Sequence, residues 1–267
     1  MDPTISWFIS IASISSLAWA GGYYLGRRSA ATGRATLIAG LACMGTWVWL
    51  SYHPAVAVRL IPLPILSSIE GVGSVPFFML LLGLAWSKAK VARQKRVITW
   101  AIMFGAVFFV NGGLWMLQST PELGFAGTIS DEPVMQSQDY SCVAAASAQA
   151  LDILGVHSSE QQMAQLTQTR PGTGSTTLRA MHGLNQRLER TPYKVELLEV
   201  SLDQIKQLPV PMLTPLQYEP TRRHMVTITG ISGDIIKVHD PVDGPVLISW
   251  DTMQQVFTGK VLVFVRR

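Results

Sequence analysis

The sequence predicts two regions of different class: an all-α membrane domain of four helices, followed by an α+β domain. Three observations carry this. Charged residues make up 14 % of the chain, against about 25 % in a typical soluble domain. Long uncharged apolar runs are confined to the first 117 residues. Beyond them, helical patterns come first and strand patterns follow, a segregation that argues α+β.

The four apolar stretches fall at residues 5–26, 35–52, 66–87 and 97–117. Each approaches the ~20 residues that a helix needs to cross a bilayer. In lipid a helix satisfies its own backbone polar groups, so each is read as a helix. Glu70, Pro62, Pro64 and Pro76 interrupt the third, and Glu70 is expected near the outer end of that span, reaching interfacial water. Ala18-Trp19-Ala20 resembles a signal-peptide cleavage site. The basic stretch that precedes such a site is missing, so the first span is read as an uncleaved anchor.

Lys and Arg in the short loops set orientation. The first loop holds Arg27, Arg28 and Arg34, and the third holds Lys88, Lys90, Arg93, Lys95 and Arg96, whereas the second holds only Arg59. Loops one and three are therefore expected in the cytoplasm. The N-terminus and everything after Leu117 are expected outside, in a multi-pass protein of the cell (inner) membrane. Up to residue 117 there are nine Lys/Arg against two acids; from 118 onward there are twelve against fifteen. The basic excess belongs to the membrane half, so a nucleic-acid partner is excluded on charge.

Residues 118–131, rich in Pro, Gly, Ser, Thr and acids, read as a linker. Residues 132–267 then form one domain. A first helix is expected over 141–154, and a second after an N-cap at Ser158 or Ser159, with Glu160 in its first turn. A third ends near Glu189. Strands are expected at 194–200, 209–214, 224–231, 235–240, 245–250 and 260–265, with Ser232-Gly233 turning a hairpin.

One of the two cysteines, Cys142, stands in "QSQDYSCVAAAS". Asp139 and Ser141 are placed to cap the Ala-rich helix that follows. Cys142 then lies in its first turn, where the helix dipole favours a thiolate. Gln136, six residues ahead, is suited to donate to a developing oxyanion; Gln138 is a second candidate. The other cysteine, Cys43, lies in the second span and offers no disulfide partner within the domain. A cysteine nucleophile needs a base, and the base an orienting group. His224 opens one strand of the hairpin and Asp240 closes the other, so the two can meet across the ladder. No metal or other cofactor is implied, since the histidines show no ligand spacing.

The second half resembles the peptidase C39 family, the papain-like cysteine peptidases best known for removing double-glycine leaders from bacteriocins. The resemblance rests on "QSQDYSCVAAASAQALDILG", "GTGSTTLRAMHGL", "RHMVTITGISGDIIKVHDP" and "FTGKVLVFV". It implies a papain-like fold and assigns the family's Gln, Cys, His and Asp roles to Gln136, Cys142, His224 and Asp240. Two departures are visible. Val143 follows the cysteine where the family usually has Gly. No G-x-x-x-x-G-K-[ST] phosphate loop accompanies the peptidase region, whose Gly259-Lys260 pair is followed by Val261. The expected function is thus a membrane-anchored cysteine peptidase acting on exported or membrane-associated polypeptides, in contact with the bilayer and with a separate export or transporter component. The alternative is a catalytically silent C39-like peptide-binding module, against which the presence of all four residues weighs. A membrane assembly factor ranks lower, since Glu70 and Asn111 are the polar residues deep in the spans.

Overall fold

The computed structural model describes residues 3–123, 133–219 and 223–267. They form two compact units, Met1–Gln118 and Ser119–Arg267. Most of the stretch read as a linker, 124–131, lies outside the described residues, as does residue 132.

The first unit is all helical. Helix α1 (Pro3–Arg28), α2 (Ala30–Tyr52) and α6 (Ala92–Gly113) are long, and a 3-10 turn (Leu114–Leu117) continues α6. Segments Ile5–Arg28, Ala30–Tyr52 and Ala92–Leu117 are long and apolar enough to cross a membrane. Their outer faces expose Leu17, Ile38, Trp100 and Phe104. Such faces cost free energy in water and none in hydrocarbon.

The third expected span is not one helix. Residues 54–88 break into α3 (Pro54–Leu60), α4 (Leu63–Ile69) and α5 (Val75–Lys88). The cause is local chemistry. Pro54, Pro64 and Pro76 stand at N1 or N2 of these helices, where a missing N–H costs nothing. Gly71 adopts φ +84° in the turn between α4 and α5, a conformation open to glycine. Glu70 is half-buried at this turn, as the C-cap of α4. Among the described residues three helices, not four, therefore have the length of a span; α5 has 14 residues, about 21 Å at 1.5 Å per residue.

Helix α5 runs parallel to α1. Val72 and Val75 pack with Phe8 and Ile11 at one end. Farther along, a Cβ on Gly22 would meet the Leu80 carbonyl oxygen at 2.1 Å, and one on Gly83 the Trp19 carbonyl oxygen at 2.0 Å. Glycine at both positions lets the two backbones touch. Gly26 lies against Ser87, and Gly33 of α2 against Lys88. The basic ends of the first and third loops thus share one end of the unit. Trp115 and Met116, by contrast, pack with Trp7 and Phe8 at the other end.

The second unit has helices α7 (Cys142–Ile153), α8 (Glu160–Leu166) and α9 (Thr177–Arg187), then strands β1 (Tyr193–Glu199), β2 (Met212–Leu216), β3 (His224–Ser232), β4 (Ile235–Asp240), β5 (Gly244–Ser249) and β6 (Lys260–Arg266). The six strands form one antiparallel sheet in the order β1-β6-β2-β3-β4-β5. A 3-10 turn (Asp203–Gln207) and a short helix α10 (Trp250–Val256), neither expected, close one side of it. Their Ile205 and Met253 join Met212, Val226, Ile236 and Val238 in a buried cluster. Strand β2 lies a few residues downstream of the stretch expected at 209–214: Pro209 and Pro211 stay outside it, while Pro215 stands in the ladder opposite Met225.

Helix α7 is buried from Val143 to Leu151. Mostly small and apolar, it suits an interior, and its alanines allow close approach to the sheet. Thr227 Oγ1 of β3 donates to the Ala146 carbonyl at 3.0 Å. Gln149 Oε1, also buried, accepts the Val134 N–H at 2.6 Å. Both bonds fix the position of the helix that begins with the cysteine.

Candidate active site

Cys142 is the first residue of α7, partly exposed, and Ser141 is the N-cap. Asp139 stands two residues outside that position. Ser141 does not cap in the expected way. Its hydroxyl donates to the Gln138 carbonyl at 2.9 Å and accepts the Gln138 N–H at 3.2 Å. Ser141, fully buried, thus closes a tight turn just before the cysteine and makes no side-chain cap bond to the helix. First-turn N–H groups have no intrahelical acceptor, and here the cap side chain takes none of them.

His224 is the first residue of β3 and Asp240 the last of β4. The register places Thr227 opposite His239, so the two strand ends lie at the same edge of the sheet. His224 Nε2 lies 2.8 Å from Asp240 Oδ1. The same oxygen accepts N–H groups of Val242 at 2.8 Å and Asp243 at 3.4 Å. Asp240 is therefore at once the turn residue before Pro241 and the partner of His224. Cys142 is close enough to His224 to act on its titration by hydrogen bonding and by charge. With Nε2 committed to Asp240, Nδ1 is the nitrogen left to face the thiol.

Burial by itself lowers the His224 pKa, but the hydrogen bonds to Asp240 and Cys142 and their charges outweigh it and raise it to about 9. Burial raises Asp240, yet the bond from His224, the Val242 N–H, the His224 charge and the Asp243 N–H outweigh it and hold its carboxyl below the usual value. Both side chains are less than a fifth exposed, so water screens this pair little. Tyr218 is half-exposed nearby; burial, then the charges of Asp240 and Asp243, push its phenol up.

Gln136 donates its backbone N–H to the Pro241 carbonyl at 2.8 Å. Its segment is thereby tied to the turn that carries Asp240. Its side-chain Oε1 is buried with no hydrogen-bond partner among the described residues. Gln138 is held by its backbone in the turn closed by Ser141. Val143 is buried at 4 % exposure, so its side chain belongs to the core. Among the described residues, no group of three or more His, Cys, Asp or Glu is placed to hold a metal ion.

The sequence reading missed the groups that hold the site in place: Thr227, Gln149 and above all Glu160. The last was read only as a favourable first-turn acid. It is 1 % exposed and accepts the Ser137 N–H at 2.9 Å.

A helical half packed on an antiparallel sheet, with a cysteine at a helix start facing a histidine and an aspartate at two strand ends, has the form of a papain-like peptidase domain. The model of the peptidase C39 family matches residues 131–267, and the chain belongs to that family. An uncharacterized protein of Methanothermobacter marburgensis is 34 % identical over 139 residues, covering 52 % of this chain and 92 % of its own length. One of Methanothermobacter thermautotrophicus is 29 % identical over 133 residues, covering 50 % and 87 %. Two solved structures are also similar. A double glycine motif protease from an AMS/PCAT transporter, in complex with the leader peptide, has 20 % identity and a TM-score of 0.43, and the match covers 54 % of this chain and 95 % of that one. The peptidase domain of Streptococcus ComA, a bi-functional ABC transporter of a quorum-sensing pathway, has 16 % identity and a TM-score of 0.46, covering 51 % and 98 %.

Proposed function

We propose that the protein is a membrane-anchored cysteine endopeptidase that hydrolyses peptide bonds of exported or membrane-associated polypeptides. The observation that carries the reading is His224, bonded to Asp240 at 2.8 Å with Cys142 at the start of α7 acting on its titration. An imidazole with a pKa of about 9 is protonated at neutral pH and pairs with a thiolate. The Cys142 Sγ attacks the substrate carbonyl carbon. The oxyanion that forms takes hydrogen bonds from the Gln136 side-chain amide and the Cys142 backbone N–H. His224 gives its proton to the leaving amine, and a thioester to Cys142 remains. His224 then takes a proton from water, which attacks the thioester and releases the acid. Asp240 holds the imidazole orientation and steadies its positive form.

Residues 1–117 are read as the membrane domain, 118–131 as a linker and 132–267 as the peptidase domain. The common end of the two basic loops, with Trp115 and Met116 at the opposite end of the unit, supports a cytoplasmic basic face and an extracytoplasmic peptidase. A separate transporter or export component is the partner this arrangement suits. Cells producing the full-length chain or its Cys142→Ala variant are compared by mass spectrometry of exported polypeptides. Shortened products that require Cys142 are expected. Identical profiles would overturn the peptidase reading and leave a peptide-binding module. A reporter fused after Arg267 is expected to be active only if it functions outside the cytoplasm; cytoplasmic activity would overturn the orientation.

A further inference from the structure

We infer that Glu160 is a positioning residue for the oxyanion donor. The inference rests on the reading of Gln136 above. A carboxylate at 1 % exposure is uncommon, because burying it is unfavourable unless it is bonded. Helix α8 does not need it. Ser159 Oγ accepts the Gln162 N–H and Gln162 Oε1 accepts the Ser159 N–H, so the capping box is complete without Glu160. The carboxylate instead turns away from its helix to a segment 23 residues upstream, where Oε1 accepts the Ser137 N–H at 2.9 Å.

The next N–H toward the N-terminus, that of Gln136, donates to Pro241 at 2.8 Å. Two consecutive N–H groups are thus held in different directions, one by α8 and one by the Asp240–Pro241 turn. Gln136 is suspended between the helical half and the strand end that carries Asp240. Its own Oε1 has no partner among the described residues, so no bond to that oxygen fixes the amide, and the two backbone anchors set where the side chain starts. Glu160 supplies one of the two backbone anchors, and through it the aim of the Gln136 amide. Its Oε2 is also buried without a partner among the described residues, a cost that an apolar residue at 160 would have avoided at the expense of the Ser137 N–H, which would then lose its acceptor. A carboxylate retained at such a cost fits a positioning role better than a packing role.

Two probes of the full-length protein test this without knowledge of the substrate. p-Nitrophenyl acetate acylates a cysteine through an oxyanion; iodoacetamide alkylates it without one. Glu160→Ala is expected to slow acylation about 10- to 100-fold, the scale of a small misplacement of a catalytic group, and to leave alkylation of Cys142 within about twofold. Glu160→Gln keeps an acceptor for Ser137 and should restore most of the acylation rate. On a Gln136→Ala background, Glu160→Ala should cost little more. Equal slowing of both probes, or a full additional cost on the Gln136→Ala background, would overturn the inference. Should Glu160→Ala fail to fold, Glu160→Met, similar in size and lacking the acceptor, is read by the same two rates. If Gln136→Ala leaves acylation unchanged while His224→Ala abolishes it, the Glu160 inference falls and the nucleophile stands. If His224→Ala leaves alkylation unchanged, the underlying reading falls.

Discussion

Replacing Asp240 by Asn tests how the site holds its proton. The carboxylate accepts from His224 Nε2 at 2.8 Å in surroundings where both side chains are less than a fifth exposed. The imidazole pKa stands at about 9 instead of 6.5, which at ~1.4 kcal/mol per pH unit is about 3 kcal/mol of preference for the imidazolium. Burial pushes the other way, so Asp240 and Cys142 together supply more than this. With Asn in place, burial is opposed by Cys142 alone. A raised folded pKa contributes stability that is fully present below 6.5 and is lost as pH rises through about 9. For Asp240, whose pKa is lowered from 3.8, the contribution is present above that value and lost as pH falls through the folded one. Asp240→Asn should remove both. Protein labelled with carbon-13 at histidine, titrated by NMR with His224→Ala to assign the signal, should show the His224 midpoint falling by about one pH unit or more. Alkylation of Cys142 by iodoacetate, an anion that favours the imidazolium form, should lose its alkaline limb near pH 9 in step. A variant midpoint still near 9 would refute the assignment of Asp240 as the group that holds the proton.

Two further outcomes follow from particular contacts. Gln136→Ala should lower acylation of Cys142 by p-nitrophenyl acetate by about 10²- to 10³-fold, with alkylation by iodoacetamide kept; loss of both would move Gln136 from oxyanion donor to structural support. Gly83→Val should destabilise the membrane unit by about 1–3 kcal/mol or more, since even a Cβ would sit 2.0 Å from the Trp19 carbonyl oxygen. Thermal unfolding of the full chain in detergent reads this, and an unchanged midpoint would contradict the α1–α5 packing.

Local chemistry made much of the fold readable. The Ser159 cap, the alanines of α7 and the alternation of His224–Ile231 each specify their element within a few residues, and the structure has each of them. The third span, expected over 66–87, is divided at residues 70–74, where Gly71 turns with positive φ and Pro76 starts a new helix; its prolines were visible in the sequence, but its apolar content outweighed them. Helix α10 was hidden because "WDTMQQV" is short and follows a strand without a break; its Ser249 cap, which accepts the Thr252 N–H at 3.2 Å, was the overlooked signal. At the candidate site, the pairing of His224 with Asp240 and the place of Cys142 at the start of α7 were legible because each stands at the end of an element that the pattern marks. Glu160 was not, because its meaning comes from a bond to Ser137 across 23 residues, and neither helix propensity nor a first-turn acid predicts burial. The Ser141 cap was half right for a similar reason. Its hydroxyl had two local uses, and the turn with Gln138 won over the helix.

The rate of Cys142 alkylation by iodoacetamide at pH 6 tests the central claim most directly. A free thiol with a pKa near 8.5 is under about 1 % thiolate there, whereas a cysteine activated by a neighbouring protonated histidine reacts faster. The full-length protein is expected to label at Cys142 at least about ten times faster than a small free thiol, and His224→Ala should bring the rate down to that of the free thiol. Labelling of the unaltered protein no faster than the free thiol would contradict the claim that Cys142 is an activated nucleophile.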